Sequence, residues 1–155
     1  MPRIEIDAAE VRSGSNYPAP YHEACLNKTR RKLGDVAGLA QFGVSLLTLQ
    51  PGAWSSQRHW HTAEDEFVWV VSGEVVLVTD EGEQGLGAGD CAGFPAGAPN
   101  GHHLMNRSKA VAQVLEVGSR RPGVDVSHYP DIDMIADRAG RRHRDGSPYP
   151  PQLRR

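Results

Sequence analysis

The stretch that decides the fold is GAWSSQRHWHTAEDEFVWVVSG, residues 52–73. It begins and ends at a glycine and contains two histidines, His59 and His61, with one residue between them. Alternate side chains of an extended chain lie on the same face, so both imidazoles can point in one direction. The apolar run at 66–71 predicts a strand, and the following Gly73 predicts a two-residue hairpin turn.

Short strands are predicted on both sides of this stretch. They lie at 42–49, 74–79, 91–94, 102–106 and 111–117, and residues 30–40 form either a first strand or an irregular edge. Turn residues separate these runs, and strands spaced about 8–12 residues apart indicate an all-β sandwich or barrel. Long helical periodicity is absent from the sequence, and the one short helix that we predict lies at 133–138.

Length and composition exclude several classes of protein. The 155 residues fit one domain, and 17 basic against 19 acidic residues leave a net charge of −2. This balance argues against a protein that coats nucleic acid or an anionic membrane. No apolar run approaches the length of about 18–20 residues that a membrane helix needs. The acidic start differs from a secretion signal, and two cysteines are too few for a disulfide scaffold, so we expect a cytoplasmic protein.

The chain divides into three predicted segments. Residues 1–29 form an N-terminal arm, residues 30–118 form the barrel, and residues 119–155 form a C-terminal arm. The C-terminal arm is rich in arginine and mixes apolar with acidic residues at 129–134. We therefore expect it to pack on the barrel or on a partner subunit.

Strand parity selects the acidic residue that lies beside the two histidines. Glu64 and Asp65 fall in a turn, whereas Glu66 begins the strand, where its position is fixed. If Glu66 faces inward, Val68 and Val70 do so as well. The opposite face is also apolar, which predicts a strand covered on both sides; its three large side chains are Phe67, Trp69 and Val71.

A third imidazole from a distant strand would complete a site of nitrogen and oxygen ligands. His102 shares its predicted strand face with a polar residue, Asn106, whereas the neighbouring His103 shares its face with Met105. We therefore favour His102 and leave His103 as the alternative. Such a ligand set suits a divalent transition metal: iron, manganese, zinc, nickel or cobalt.

These residues resemble the first motif of the cupin superfamily. That motif runs from a glycine through His-x-His to a glutamate and a second glycine. Gly52, His59, His61, Glu66 and Gly73 stand in this order, and only the gap after the first glycine is longer, by one residue. The resemblance implies a double-stranded β-helix, that is, a jelly-roll barrel.

The second cupin motif is similar to residues 89–106. Gly89 is followed by Pro-x-Gly at 95–97, then by His102 and, four residues later, Asn106. The gap before the histidine is two residues longer than in the family, so that Asn100 stands at the usual histidine position. The whole chain resembles a group of small single-domain bacterial cupins with no assigned activity.

The resemblance implies a function as well as a fold. The implied ligands of a divalent metal are His59, His61, Glu66 and His102, and two of six coordination positions stay free for water or substrate. We expect a metalloenzyme acting on a small oxygen-bearing molecule, similar to sugar or sugar-phosphate isomerases. The alternatives are an iron-dependent dioxygenase and a non-catalytic cupin that binds a small molecule. Cupins are often dimers, so a homodimer is expected.

Catalytic residues beyond the metal ligands are less clearly marked in the sequence. His103 and Glu64 are candidates for a general base because they lie beside the ligands. Arg58 directly precedes the first histidine, where it can meet an anionic group or lie exposed to solvent.

Overall fold

Strands account for most of the regular backbone in the computed structural model, which describes residues 3–150. The strands are β1 (Val11–Ser13), β2 (Lys28–Arg31), β3 (Phe42–Leu49), β4 (Trp60–His61), β5 (Glu66–Ser72), β6 (Glu74–Thr79), β7 (Gly82–Gly87), β8 (Cys91–Phe94), β9 (His103–Met105), β10 (Ala112–Ser119), β11 (Ser127–Tyr129), β12 (Met134–Asp137) and β13 (Gly140–Arg142). The helices are α1 (Leu33–Val36) and two 3₁₀ turns, Ile6–Ala8 and Glu23–Cys25. No described helix is long and apolar enough to cross a membrane.

The strands form three antiparallel sheets. Six strands lie in the order β1-β2-β3-β10-β5-β8, three in the order β7-β6-β9, and four in the order β13-β12-β11-β4. The main core contains buried side chains from the first two sheets: Leu47, Leu49, Val68, Val70, Val75, Leu77, Leu86, Leu104 and Val114. This arrangement confirms the all-β class and the jelly-roll barrel.

The hairpin between β5 and β6 depends on a glycine. Gly73 has a φ of +75°, in the left-handed region that residues with a Cβ atom rarely adopt. A Cβ atom there would also lie 2.7 Å from the carbonyl oxygen of Val111 and 2.9 Å from the Cα of Ala112. The turn therefore requires glycine, and it fixes where β5 ends and β6 begins.

Three predictions about secondary structure were wrong or incomplete. The helix predicted at 133–138 is the strand β12, which pairs with β11 and β13 and therefore follows its sheet rather than its local sequence. The strand β7 was not predicted and lies between the strands predicted at 74–79 and 91–94. β7 carries a single buried side chain, Leu86, so it has almost no apolar alternation to reveal it. In the segment 30–40, the strand ends at Arg31 and α1 follows.

β5 is covered on one face only within this chain. Val68 and Val70 lie in the core, as parity predicts. On the opposite face Phe67, Trp69 and Val71 are 38%, 49% and 50% exposed, so the expectation that both faces are covered fails for a single chain.

Both predicted arms add strands to the barrel. In the N-terminal segment, β1 pairs with β2, and β2 continues across residue 29 to pair with β3. In the C-terminal segment, β11 pairs with β4, the strand that carries His61. The C-terminal arm therefore lies against a strand that holds a predicted metal ligand.

Candidate metal centre

Three parts of the barrel bring the predicted metal ligands together. His59 and His61 flank Trp60 at the short strand β4, and Glu66 begins β5. His102 lies directly before β9 and forms a bridge with His59 through backbone hydrogen bonds in both directions. The two sequence motifs are therefore joined at this bridge.

The three imidazoles converge on one carboxylate oxygen, Oε2 of Glu66. The distance from this oxygen to Nε2 is 3.7 Å for His59, 3.6 Å for His61 and 2.8 Å for His102. The ligand atoms of His59, His61 and Glu66 lie within 4.8 Å of one another, a separation at which one metal ion can be shared. The structure thus brings together all four residues that the motifs mark.

Hydrogen bonds orient the rings of His59 and His61. Nδ1 of His59 lies 2.9 Å from the carbonyl oxygen of Gln57, and Nδ1 of His61 lies 2.6 Å from Oδ2 of Asp125. Both partners accept hydrogen bonds, so each Nδ1 donates and each Nε2 presents a lone pair. The Nε2 lone pairs of His59 and His61 therefore face Oε2 of Glu66. A cation bound between these three atoms would stabilise this arrangement.

His102 is held differently from the other two histidines. Its ring stacks on Phe94 with the centroids 3.6 Å apart, and its Nε2 lies within hydrogen-bonding distance of Glu66. Its Nδ1 is buried and has no hydrogen-bond partner within residues 3–150. His102 therefore contacts the site through Glu66, without the outer hydrogen bond that fixes the other rings.

The protonation states of the site favour metal binding at neutral pH. Burial lowers the pKa of His59 to about 4, so its imidazole is neutral. Burial alone would raise the pKa of Glu66, but the hydrogen bond from His102 and the nearby imidazoles lower it to about 2. A neutral imidazole and an ionised carboxylate are the forms that bind metals.

The remaining predicted residues lie at different distances from this site. His103 is buried and lines the main cavity, and its Nδ1 donates to the carbonyl oxygen of Ser56 at 3.0 Å. Glu64 lines a smaller neighbouring cavity, and its Oε1 accepts a hydrogen bond from the backbone N–H of Arg121 at 2.6 Å. Both residues therefore line cavities that the predicted ligands line as well.

Arg58 points away from the main cavity towards two carboxylates. Its guanidinium donates to both oxygens of Asp131, at 2.7 and 2.5 Å, and forms an ion pair with Asp80. These contacts join the C-terminal segment to the turn after β6. They favour a structural role for Arg58 over contact with an anionic substrate.

The main cavity, of about 390 Å³, opens beside the four predicted ligands. Its walls include side chains that sequence reasoning missed, among them Lys28, Tyr129 and Arg141. Asp125 was not predicted either, and it lies 64 residues along the chain from His61, the histidine that it orients. No spacing rule connects such distant residues, because the three-dimensional packing of the arms brings them to the cavity.

Comparison with known proteins now identifies the family. A family model for the cupin domain matches residues 45–118. The solved structure of a sugar phosphate isomerase of the cupin superfamily, from Silicibacter pomeroyi, is 47% identical and covers 95% of this chain and 96% of its own, with a TM-score of 0.89. The chain belongs to the cupin superfamily. Because the match covers nearly the whole chain, it includes both arms of this cupin.

More distant structures resemble the same cupin. A protein from Acidithiobacillus ferrooxidans, whose provisional name is also sugar phosphate isomerase, is 29% identical over 74% of each chain, with a TM-score of 0.69. The polyketide cyclase RemF from Streptomyces resistomycificus is 22% identical over 81% of this chain and 83% of its own, with a TM-score of 0.64, and shows the fold alone. None of the curated proteins compared with this cupin matches it.

Proposed function

We propose that this cupin binds a divalent transition metal and acts on a small oxygen-bearing molecule as a sugar-phosphate isomerase. The proposed ligands are His59, His61, Glu66 and His102. The observation that carries the proposal is the convergence of three imidazole Nε2 atoms on one oxygen of Glu66 beside a cavity. The similarity to the Silicibacter pomeroyi protein supports the substrate class.

The proposed chemistry is the movement of a proton next to a carbonyl group. A divalent ion at this site polarises such a carbonyl as a Lewis acid. His103 is the candidate base, because burial lowers its pKa and keeps the imidazole neutral near pH 7. Its Nδ1 donates to Ser56, which leaves Nε2 with the lone pair that accepts a proton.

Substrate screening of the metal-loaded protein tests this proposal. The protein is reconstituted separately with iron, manganese, zinc, nickel and cobalt and incubated with aldose and ketose phosphates in D₂O. Interconversion of the isomers and exchange of one carbon-bound proton, followed by NMR, are the expected results. Oxygen consumption with iron would instead identify a dioxygenase, and binding without turnover would identify a binding protein; both results contradict the proposal.

The role of His103 is tested separately from that of the metal. His103→Ala and Glu64→Ala are made singly and together, and the metal content is measured before turnover. We expect turnover to fall about 10²–10⁴-fold with His103→Ala, as for a lost general base, while the metal stays bound. Unchanged turnover in the double variant would exclude both residues as the base.

We also propose that this cupin is a homodimer that covers the outer face of β5. The exposed side chains Phe67, Trp69 and Val71 support this proposal, because a cluster of large apolar side chains on a sheet is typical of an interface. Light scattering is expected to give twice the chain mass, and Trp69→Glu is expected to give a monomer. Val124→Glu, at another exposed apolar position, is the control. A monomeric native protein would refute the dimer.

A further inference from the structure

The wall of the main cavity carries more positive than negative side chains. The cations are Lys28, Arg30, Lys32, Arg120 and Arg141, and the carboxylates are Glu66 and Glu116. Glu66 lies in the proposed metal centre. Among residues 3–150, the rest of the cavity wall therefore contains five cations and one carboxylate.

Two of these cations are paired. Arg30 donates from Nε and Nη2 to the two carboxylate oxygens of Glu116, at 2.6 and 2.8 Å. Arg120 forms an ion pair with Asp35, outside the cavity wall. Because Arg30 contacts both carboxylate oxygens of Glu116, this carboxylate does not neutralise the charge of the other cations in the cavity wall.

Lys28 is a buried cation that forms no ion pair within residues 3–150. Its side chain lies on β2, the residue is 8% exposed, and Nζ donates to the carbonyl oxygen of Ser55. No carboxylate of residues 3–150 lies within 4 Å of this ammonium group. Burial accordingly lowers the pKa of Lys28 to about 8. An ammonium in such a position favours the binding of an anion, since an unpaired buried charge is costly.

Arg141 is a second cation at the same cavity that forms no ion pair within the described residues. Its guanidinium carbon lies 4.6 Å from the centre of the Tyr17 ring. Its Nε is buried and meets no hydrogen-bond acceptor in the described part of the chain. No carboxylate there lies within 4 Å of its nitrogen atoms either. Arg141 thus has hydrogen-bond donors to offer to a ligand.

We propose that Lys28 and Arg141 bind the phosphate group of the substrate. We call this pair the cation end of the cavity. A phosphate monoester carries a charge of about −1.5 to −2 at pH 7, which matches two single positive charges. Its oxygens accept hydrogen bonds from an ammonium and from a guanidinium at once. The substrate class is therefore a small phosphorylated molecule whose other end carries oxygen atoms that reach the metal ligands.

A continuous aromatic wall connects the two ends of the cavity. Arg141 lies over the ring of Tyr17. The rings of Tyr17 and Tyr129 form a T-shaped contact, with the centroids 5.7 Å apart. Tyr129 stacks in turn on the ring of His59, at 5.6 Å. We infer that one molecule lying along this wall would contact both ends. Only the inference that one substrate contacts both ends rests on the proposed function, because phosphate binding at the cation end does not need the metal.

The test uses inorganic phosphate as the probe and the full chain without metal. Protein treated with a chelator is titrated with phosphate at pH 7 by isothermal titration calorimetry. We expect saturable binding to the native protein and at least about tenfold weaker binding to Lys28→Met and to Arg141→Met, since each loses a charge-assisted contact. Lys109→Met, which changes an exposed lysine, is expected to bind phosphate like the native protein.

The two variants make the test independent of a folding failure. Circular dichroism identifies a variant that has lost its fold, and the other variant then decides the result. Absence of phosphate binding to the native protein, or unchanged binding to the folded variants, would overturn the proposal. Tighter binding of acetate than of phosphate would overturn it as well. Since metal is absent, a failed metal proposal would leave this result unaffected.

Discussion

The metal end and the cation end of the main cavity are built from different parts of the chain, where the metal end is the part formed by the four proposed metal ligands. At the metal end, His59, His61 and Glu66 lie within eight consecutive residues. At the cation end, Lys28 comes from β2 and Arg141 from β13, more than one hundred residues away. The proposed chemistry therefore depends mainly on the barrel, whereas the proposed recognition of the substrate depends on the arms.

The two ends also differ in how their charged groups are satisfied. At the metal end, His59 and His61 each have a hydrogen-bond acceptor at Nδ1. The acceptor is the carbonyl oxygen of Gln57 for His59 and the carboxylate of Asp125 for His61. At the cation end Lys28 donates to one carbonyl oxygen and has no ion pair in residues 3–150. The first end therefore fits the proposed metal cation, and the second end fits the proposed phosphate anion. Three predictions separate these roles.

The largest effect is expected for Glu66→Gln. This change removes the only negative charge among the four proposed ligands, so the affinity for a divalent metal should fall more than about 100-fold, beyond the loss usual for outer-sphere residues. Competition with a chromophoric chelator measures this affinity. The control is Glu74→Gln, which alters an exposed glutamate at the start of β6 and should leave the metal affinity unchanged. Equal losses in both variants would contradict the assignment of Glu66.

A smaller effect is expected for Asp125→Asn. The hydrogen bonds from Nδ1 of His61 and from the backbone N–H of Ala63 lower the pKa of Asp125, although its burial acts in the opposite direction. A neutral amide accepts the bond from His61 more weakly, so metal affinity should fall about 10–100-fold.

The matched control for this variant is Asp133→Asn. Asp133 also accepts a hydrogen bond from a histidine, His143 at 2.9 Å, but this pair lies in the exposed part of the C-terminal segment. The control should leave metal affinity unchanged. If Asp125→Asn behaved like Asp133→Asn, the orientation of His61 by its carboxylate would not matter for metal binding.

The smallest effect concerns the pH dependence of phosphate binding. Because the pKa of Lys28 is about 8, its charged fraction falls from about nine-tenths at pH 7 to about one-tenth at pH 9, and phosphate affinity should fall about tenfold. The other groups that act on Lys28 are Cys25, Arg30, Glu116 and Arg141. Burial raises the pKa of the Cys25 thiol, which opposes its ionisation in this range.

Calorimetric titrations at pH 7, 8 and 9 measure this dependence. Lys28→Met is the control, and its weak phosphate binding should show no such decline. A native protein whose affinity stays constant from pH 7 to pH 9 would show that Lys28 does not contribute its charge to the site.

The metal end was largely predictable from the sequence because local geometry determines it. The alternation at β4, the start of β5 at Glu66 and the turn at Gly73 follow from side-chain parity and from backbone conformation. The strands β3, β6 and β8 were predicted with the bounds that the structure shows, since turn residues flank clear apolar runs. All these signals act over a few residues.

The cation end could not be predicted because its signals are not local. Lys28 and Arg141 look like ordinary surface residues in the sequence, and only the pairing of β2 with β3 and of β13 with β12 places them at one cavity. The same reason explains the error at β12, whose strand conformation depends on its partners β11 and β13. The arginine that the sequence singled out, Arg58, contacts carboxylates instead.

Elemental analysis of protein purified without added metal shows whether this cupin holds a metal ion at the proposed site. We expect close to one divalent transition metal ion per chain, and its loss in the double variant His59→Ala, His61→Ala. His143→Ala, which removes a histidine outside the site, should keep the metal. Full metal occupancy in the folded double variant would contradict the proposed metal site, as would a native protein that binds no divalent metal even after reconstitution.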